Sequence, residues 1–273
     1  MLKDSLAKGP KKMPSLTNAF LSIFDKKLVR KSAYEKLEYN ANKFRIYELL
    51  SLIDEKYFVD CFKNLRFSKS QLGQDLFVLS ELGFKENGFF VEFGATNGVD
   101  LSNTHILEKK FNWDGVLAEP AHIWHSALKK NRSTAIETDC VWHSTGKRIL
   151  FNEVNNAIHD GELSTIDRFT NMDGHAKSRN SASNKYEVET ISLEDMLEKH
   201  NAPKEIDYLS IDTEGSEFEI LNSFNFDRYK IKVITCEHNF TPIRQQIYSL
   251  LSKKGYERKY SDFSMFDDWY VKR

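Results

Sequence analysis

Gly88–Asp100, GFFVEFGATNGVD, is the stretch that decides the fold. An apolar run, Phe89–Val91, leads into Glu92, then a turn with Gly94 and Gly98, then a helix-like segment from Leu101. This is the outline of a buried strand that ends in a glycine-bearing loop and feeds a helix. Glycine lets backbone approach a ligand closely, and a helix N-terminus offers free N–H groups. Glu92 falls at the carboxyl end of the strand, where open α/β sheets bind ligands. The spacing Glu92-x-Gly94-x-x-x-Gly98, with Thr96 in the middle, departs from the Gly-x-Gly-x-x-Gly dinucleotide pattern. A carboxylate there repels a pyrophosphate, so a cationic or hydroxyl-rich ligand suits the loop better. A plain strand-to-helix turn stays open as the alternative.

Outward from this loop, strands and helices alternate. Gly115–Pro120, Ala135–Val141, Tyr186–Ser192, Ile206–Thr213 and Lys232–Asn239 read as strands. Leu101–Phe111, His122–Asn131, Leu193–His200, Gly215–Phe224 and Thr241–Lys254 read as helices, with Ser192 capping the third. Tyr256–Tyr260 and Phe266–Lys272 pair as a closing hairpin that adds an antiparallel strand. Such alternation predicts an α/β fold, a mostly parallel sheet covered by helices on both faces. Ser68–Gly83 precedes the loop as an amphipathic helix with Gln71, Gln74 and Asp75 at its polar start. These three either decorate a first turn or reach the ligand as substrate-side groups. Asn171–Lys185, poor in apolar residues, predicts an exposed loop or lid.

Residues 1–15 carry Lys3, Lys8, Lys11 and Lys12 among Gly9-Pro10 and Pro14, the pattern of a mobile basic tail. Leu16 to about Phe67 has helical spacing. The expected division is therefore a tail and helical extension over 1–67 and a main domain over 68–273. The extension is a candidate surface for a homo-oligomer. A net charge of -1 gives no general field for nucleic acid, and no apolar run has the length of a membrane span. Cys61, Cys140 and Cys236 are odd in number and widely spaced, which predicts no disulfide framework and a soluble, cytoplasmic protein.

Five carboxylates, Glu92, Glu119, Asp139, Asp212 and Glu237, each close a predicted core strand. One alone is an ordinary polar turn; five in register line the edge where a cleft belongs. Glu119, about 25 residues beyond the loop, suits a ribose, because a carboxylate accepts from both hydroxyls. Asp139 is placed to accept from an exocyclic amine and Val141 to pack on a base. A cationic nucleoside fits such an edge better than a dinucleotide.

VEFGATNG (91–98), LAEP (117–120) and IDYLSIDTEGSEFEIL (206–221) together resemble the FkbM-type S-adenosylmethionine-dependent methyltransferases, from about Ser70 onward. The resemblance implies a seven-stranded, Rossmann-like class I methyltransferase domain and S-adenosylmethionine as cofactor. It implies a cofactor site over Glu92, Gly94, Ala95, Thr96, Asn97, Gly98, Glu119, Pro120, Asp139, Cys140, Val141 and Asp212. The implied activity is O-methylation of a small-molecule or glycan hydroxyl: a sugar, a glycan or a natural product. For the proton acceptor, His238, Asp212 and Glu214 are the candidates, His238 first because its ordinary pKa of about 6.5 suits base chemistry at neutral pH. Glu237 is a substrate-side candidate. No metal site is expected; the alternative is that Asp212, Glu237, His238 and Asn239, on adjacent strand ends, gather a hard divalent cation. Trp124, Trp142 and Tyr186 are candidate stacking faces for a sugar. The competing readings are an NAD-binding oxidoreductase and a non-catalytic ligand-binding module.

Overall fold

The glycine-loop strand lies at the middle of a seven-stranded sheet. A computed structural model describes residues 45–155 and 161–273. The chain divides into two units, Met1–Tyr47 and Glu48–Arg273, and every element below belongs to the second. The basic tail and the helices expected before residue 45 lie outside the described residues.

In chain order the strands are β1 (Phe89–Phe93), β2 (Asp114–Ala118), β3 (Ala135–Glu137), β4 (Cys140–Trp142), β5 (Arg148–Val154), β6 (Thr165–Ile166), β7 (Ser183–Ser192), β8 (Glu205–Ile211), β9 (Lys230–Glu237), β10 (Tyr256–Lys259) and β11 (Asp267–Lys272). The helices are α1 (Phe58–Asn64), α2 (Gln74–Glu81), α3 (His105–Phe111), α4 (His122–Asn131), α5 (Ala176–Ser181), α6 (Leu193–Lys199), α7 (Glu217–Ser223) and α8 (Ile243–Lys253).

The large sheet runs β3-β2-β1-β8-β9-β11-β10. Its first five strands pair in parallel, and β11 lies antiparallel to both neighbours. Six strands therefore point one way and β11 the other, as the closing hairpin predicts. Parallel strands need cover on both faces, and the apolar runs of β1, β8 and β9 are accordingly buried. Met196, Leu197, Ile220, Leu221, Ile247 and Leu251, from α6, α7 and α8, share one core with Val91, Leu209 and Ile234 of the sheet. Elsewhere α2 sets Phe77 on Trp269 of β11, with ring centroids 4.6 Å apart.

A second, mixed sheet, β4-β7-β5-β6, is inserted between β3 and β8. It corrects the expectation of a single strand over Ala135–Val141. That stretch is two strands in two sheets: β3 pairs with β2, and β4 pairs with β7. The switch falls at Thr138-Asp139, whose N–H groups both donate to the Glu137 carboxylate, at 3.0 and 3.1 Å.

Two helices start later than predicted, for one physical reason: side chains take the backbone's place. Ser68 and Ser70 donate to Asp75, which also accepts from Lys69 N and Leu76 N, so helix begins only at Gln74. Glu92 binds the 102–104 segment in the same way, so helix begins at His105 rather than Leu101.

At the amino end of the parallel strands, buried Asp207 takes both Lys85 and Lys232, at 2.6 and 2.8 Å. The three cysteines are free and buried, one each in α1, β4 and β9. Burial pushes the Cys61 and Cys140 thiols up to about 12 and Cys236 up as well. Among the described residues no helix is long and apolar enough to cross a membrane.

Candidate active site

The carboxyl ends of β1, β2, β8 and β9 converge on a cavity of about 300 Å³. Strand alternation explains who faces it. Glu92, Glu119, Asp212 and Glu237 line the cavity, as the row of strand-end carboxylates predicts.

The glycine loop is tied to its neighbours by hydrogen bonds. Gly94 N and Ala95 N donate to Ala118 O, at 3.1 and 3.3 Å. A Cβ at Gly94, where φ is +70°, would meet Asp212 O at 2.2 Å. This glycine thus permits the close approach of two strand ends. Glu119 accepts from Thr96 N and from Ala121 N, each at 2.8 Å, and bridges the loop to β2. Burial pushes its carboxyl up to about 7, with those two N–H groups opposing. Glu92 accepts from Asn103 N at 2.7 Å, Ser102 Oγ at 3.0 Å and Thr104 Oγ1 at 2.5 Å, with Arg132 3.7 Å away. Burial pushes it up and Arg132 opposes.

On the other side the turn Asp212-Thr213-Glu214-Gly215 closes β8. Glu217 holds that turn from the first turn of α7, accepting from Thr213 N at 3.0 Å and Gly215 N at 2.9 Å. Oxygens of Asp212, Glu214 and Glu237 lie within 4.8 Å of one another. Burial pushes all three carboxyls up, Asp212 to about 7; repulsion by Glu217 adds for Asp212, whereas its hydrogen bond with Glu237 opposes, and repulsion by Asp212 adds for Glu214 and Glu237. Asp267, first residue of β11 and opposite Glu237 in the register, joins them. It accepts from Gln74 Nε2 at 2.9 Å, and burial pushes it up to about 8. Among the described residues no lysine or arginine lines the cavity, whereas Asp100 and Glu162 add further carboxylates.

Several expected site residues hold the walls instead of facing the cavity. Ala95, Asn97 and Gly98 are not lining groups. Asn97 accepts from Val99 N and Asp100 N, and Gly98 packs on Arg132 and Leu128. Asp139 lies outside as well: its carboxylate turns to Lys199, 3.5 Å away, because the sheet switch has moved it off the strand end. Pro120, Cys140 and Val141 do line the cavity, as do Gln71 and Gln74, but Asp75 is absorbed in its own cap.

His238 is corrected most firmly. Alternation along the chain past Glu237 turns it to the far side, where Nδ1 accepts from Phe240 N and Nε2 lies 3.8 Å from Asp268. Burial pushes its pKa down. It has no place in a metal set either. Asn239 does line the cavity and donates to Glu214 at 3.1 Å. Trp124, Trp142 and Tyr186 are not lining residues; the phenylalanines of the wall are Phe93, Phe151 and Phe266.

The stretch Asn171–Lys185 is mostly exposed, as expected, but it is not all loop. It contains α5 and the start of β7, and Arg179 within it is fully buried. Arg179 and Asp267 are the chief residues the sequence reading missed. Asp267 opens an antiparallel strand, whose amino end reaches the same edge, so a search of strand carboxyl ends passes it by. Arg179 sits in a polar stretch with no local pattern to mark it.

A large sheet that opens its cleft at the carboxyl ends of parallel strands, flanked by helices, defines a ligand-binding α/β protein of the Rossmann-like kind. The family model described as the methyltransferase FkbM domain matches residues 92–260, and the chain belongs to that family. Among solved structures, the crystal structure of precorrin-6y C5,15-methyltransferase from Geobacter metallireducens GS-15 is similar, at 12% identity and a TM-score of 0.37. That likeness covers 72% of this chain and 85% of the other. Comparison with curated proteins gave no match.

Proposed function

We propose that the chain binds S-adenosylmethionine and methylates a hydroxyl of a sugar, glycan or natural product. The observation that carries this reading is the acidic cavity at the glycine-loop edge, lined by no lysine or arginine among the described residues. Such a lining favours a cationic ligand and repels the pyrophosphate of a dinucleotide. The strand order β3-β2-β1-β8-β9-β11-β10, with β11 reversed, supports a class I methyltransferase domain.

Glu119 has lone pairs left beyond its two N–H contacts and would hold the ribose hydroxyls. Pro120, Cys140 and Val141 offer the less polar wall for the base, without Asp139. The cofactor, when bound, supplies an electrophilic methyl group on a sulfonium. The chain's part is to hold the acceptor oxygen in line and to keep water out. Asp212 replaces His238 as the group that accepts the acceptor's proton, since burial raises its pKa to about 7, and Glu237 lies beside it.

Calorimetric titration of S-adenosylmethionine, with NAD as control and Glu119→Ala as second sample, tests the reading. Saturable binding that the variant weakens about tenfold or more is expected, the scale of losing a hydrogen bond to a charged group. Binding of NAD instead, or no binding by the wild type, would sink it.

A further inference from the structure

Arg179 is the only cation in contact with the three-carboxylate group among the described residues, and it does not line the cavity. Its guanidinium is wholly buried and has no exit to solvent. Two of its nitrogens form a fork on Asp173, at 2.8 and 2.9 Å. Nη2 also donates to Glu214 at 2.5 Å, and Nε donates to Leu163 O at 3.0 Å. One side chain thus joins three places in the chain: residue 163 beside the cavity, Asp173 before α5, and the turn that carries Asp212.

The turn needs holding. Glu214 is a non-glycine residue at φ +58°, a conformation that L side chains adopt only when surroundings enforce it. The inserted segment supplies the enforcement at three points. Arg179 takes the Glu214 carboxylate, Thr165 Oγ1 donates to Glu214 O at 2.9 Å, and Phe169 packs against Gly215, whose missing Cβ leaves room for it. The same segment furnishes Leu163, Ser164, Ile166 and His175 to the cavity wall.

We propose that Arg179 is a positioning residue for this site: acting through Glu214, it fixes the turn that aims Asp212 and docks the inserted wall on the cavity. This rests on the methyltransferase reading, and it gives Glu214 an anchoring role in place of the proton-accepting one expected from sequence. Lysine keeps the charge but cannot span two carboxylates with a planar fork. Methionine would strand two buried carboxylates and endangers folding. The informative variants are therefore Arg179→Lys, Glu214→Gln and the pair together.

The test is calorimetry with S-adenosylmethionine, the thermal midpoint of each variant, and amide exchange over residues 161–181 and 212–217 of the ligand-free protein. Arg179→Lys and Glu214→Gln are each expected to weaken binding about tenfold, with the double variant no worse than either, because they break one linkage. Arg179→Lys should also hasten exchange at 212–217. Wild-type affinity in Arg179→Lys, or losses that multiply in the double variant, would overturn the proposal. If the wild type itself fails to bind the cofactor, the functional reading falls. The exchange measurement still decides the clamp: unchanged protection at 212–217 in Arg179→Lys overturns it.

Discussion

Glu119, Asp212 and Asp267 bring a charge imbalance into a buried site. Burial raises all three, to about 7, 7 and 8, from ordinary values near 4. A folded-state pKa above the unfolded one means that the native form binds protons more tightly. The stability these groups contribute is then full below pH 4 and is lost as pH rises through 7 and 8. Asp207 has the opposite sign, since its lysines lower it, and its contribution is lost only on acidification below pH 4. Between pH 5.5 and 8.5 the raised group decides the slope. The ligand-free protein is expected to show a thermal midpoint that falls across this range, and Asp267→Asn should flatten the fall. A midpoint that rises with pH would contradict the buried, raised carboxylates. A cationic ligand should oppose the fall, so its stabilising effect should grow toward pH 8.5.

Among elements, periodicity made the parallel strands and α8 legible, because buried runs and amphipathic stripes are local patterns. The cap of α6 was legible too: Ser192 Oγ accepts from Asp195 N at 3.1 Å. Ser192→Ala should cost about 1 kcal/mol and lower the midpoint by about 2–4 °C, which calorimetric unfolding would register. Partners far away in sequence escaped the reading. The break between β3 and β4 depends on β7, about 50 residues on, and Glu137 stabilises it with Lys199 and His200 at 2.9 and 3.1 Å. The row of strand-end carboxylates was readable for Glu92, Glu119, Asp212 and Glu237, since a period of two fixes their facing. His238 and Asp139 failed on the same rule: one residue past a strand end, or one sheet away, the facing changes. Arg179 could not be read, because what buries it is a tertiary contact with Glu214.

On the scale of the molecule, the chain has three buried thiols, each in a different layer. Cys61 lies in α1, Cys140 in the inserted sheet beside the cavity, and Cys236 in the large sheet. A thiol that is both buried and held above its ordinary pKa does not react until its surroundings open. The protein therefore carries a built-in clock for its own breathing. Under an excess of alkylating reagent, the order in which the three sites are modified, read by mass spectrometry, gives the order in which the layers come apart. Cys61 is expected first and Cys236 last, because the central sheet opens only with the whole fold. A bound ligand should slow Cys140 above the others, so the same clock would signal occupancy of the cleft with no acceptor in hand.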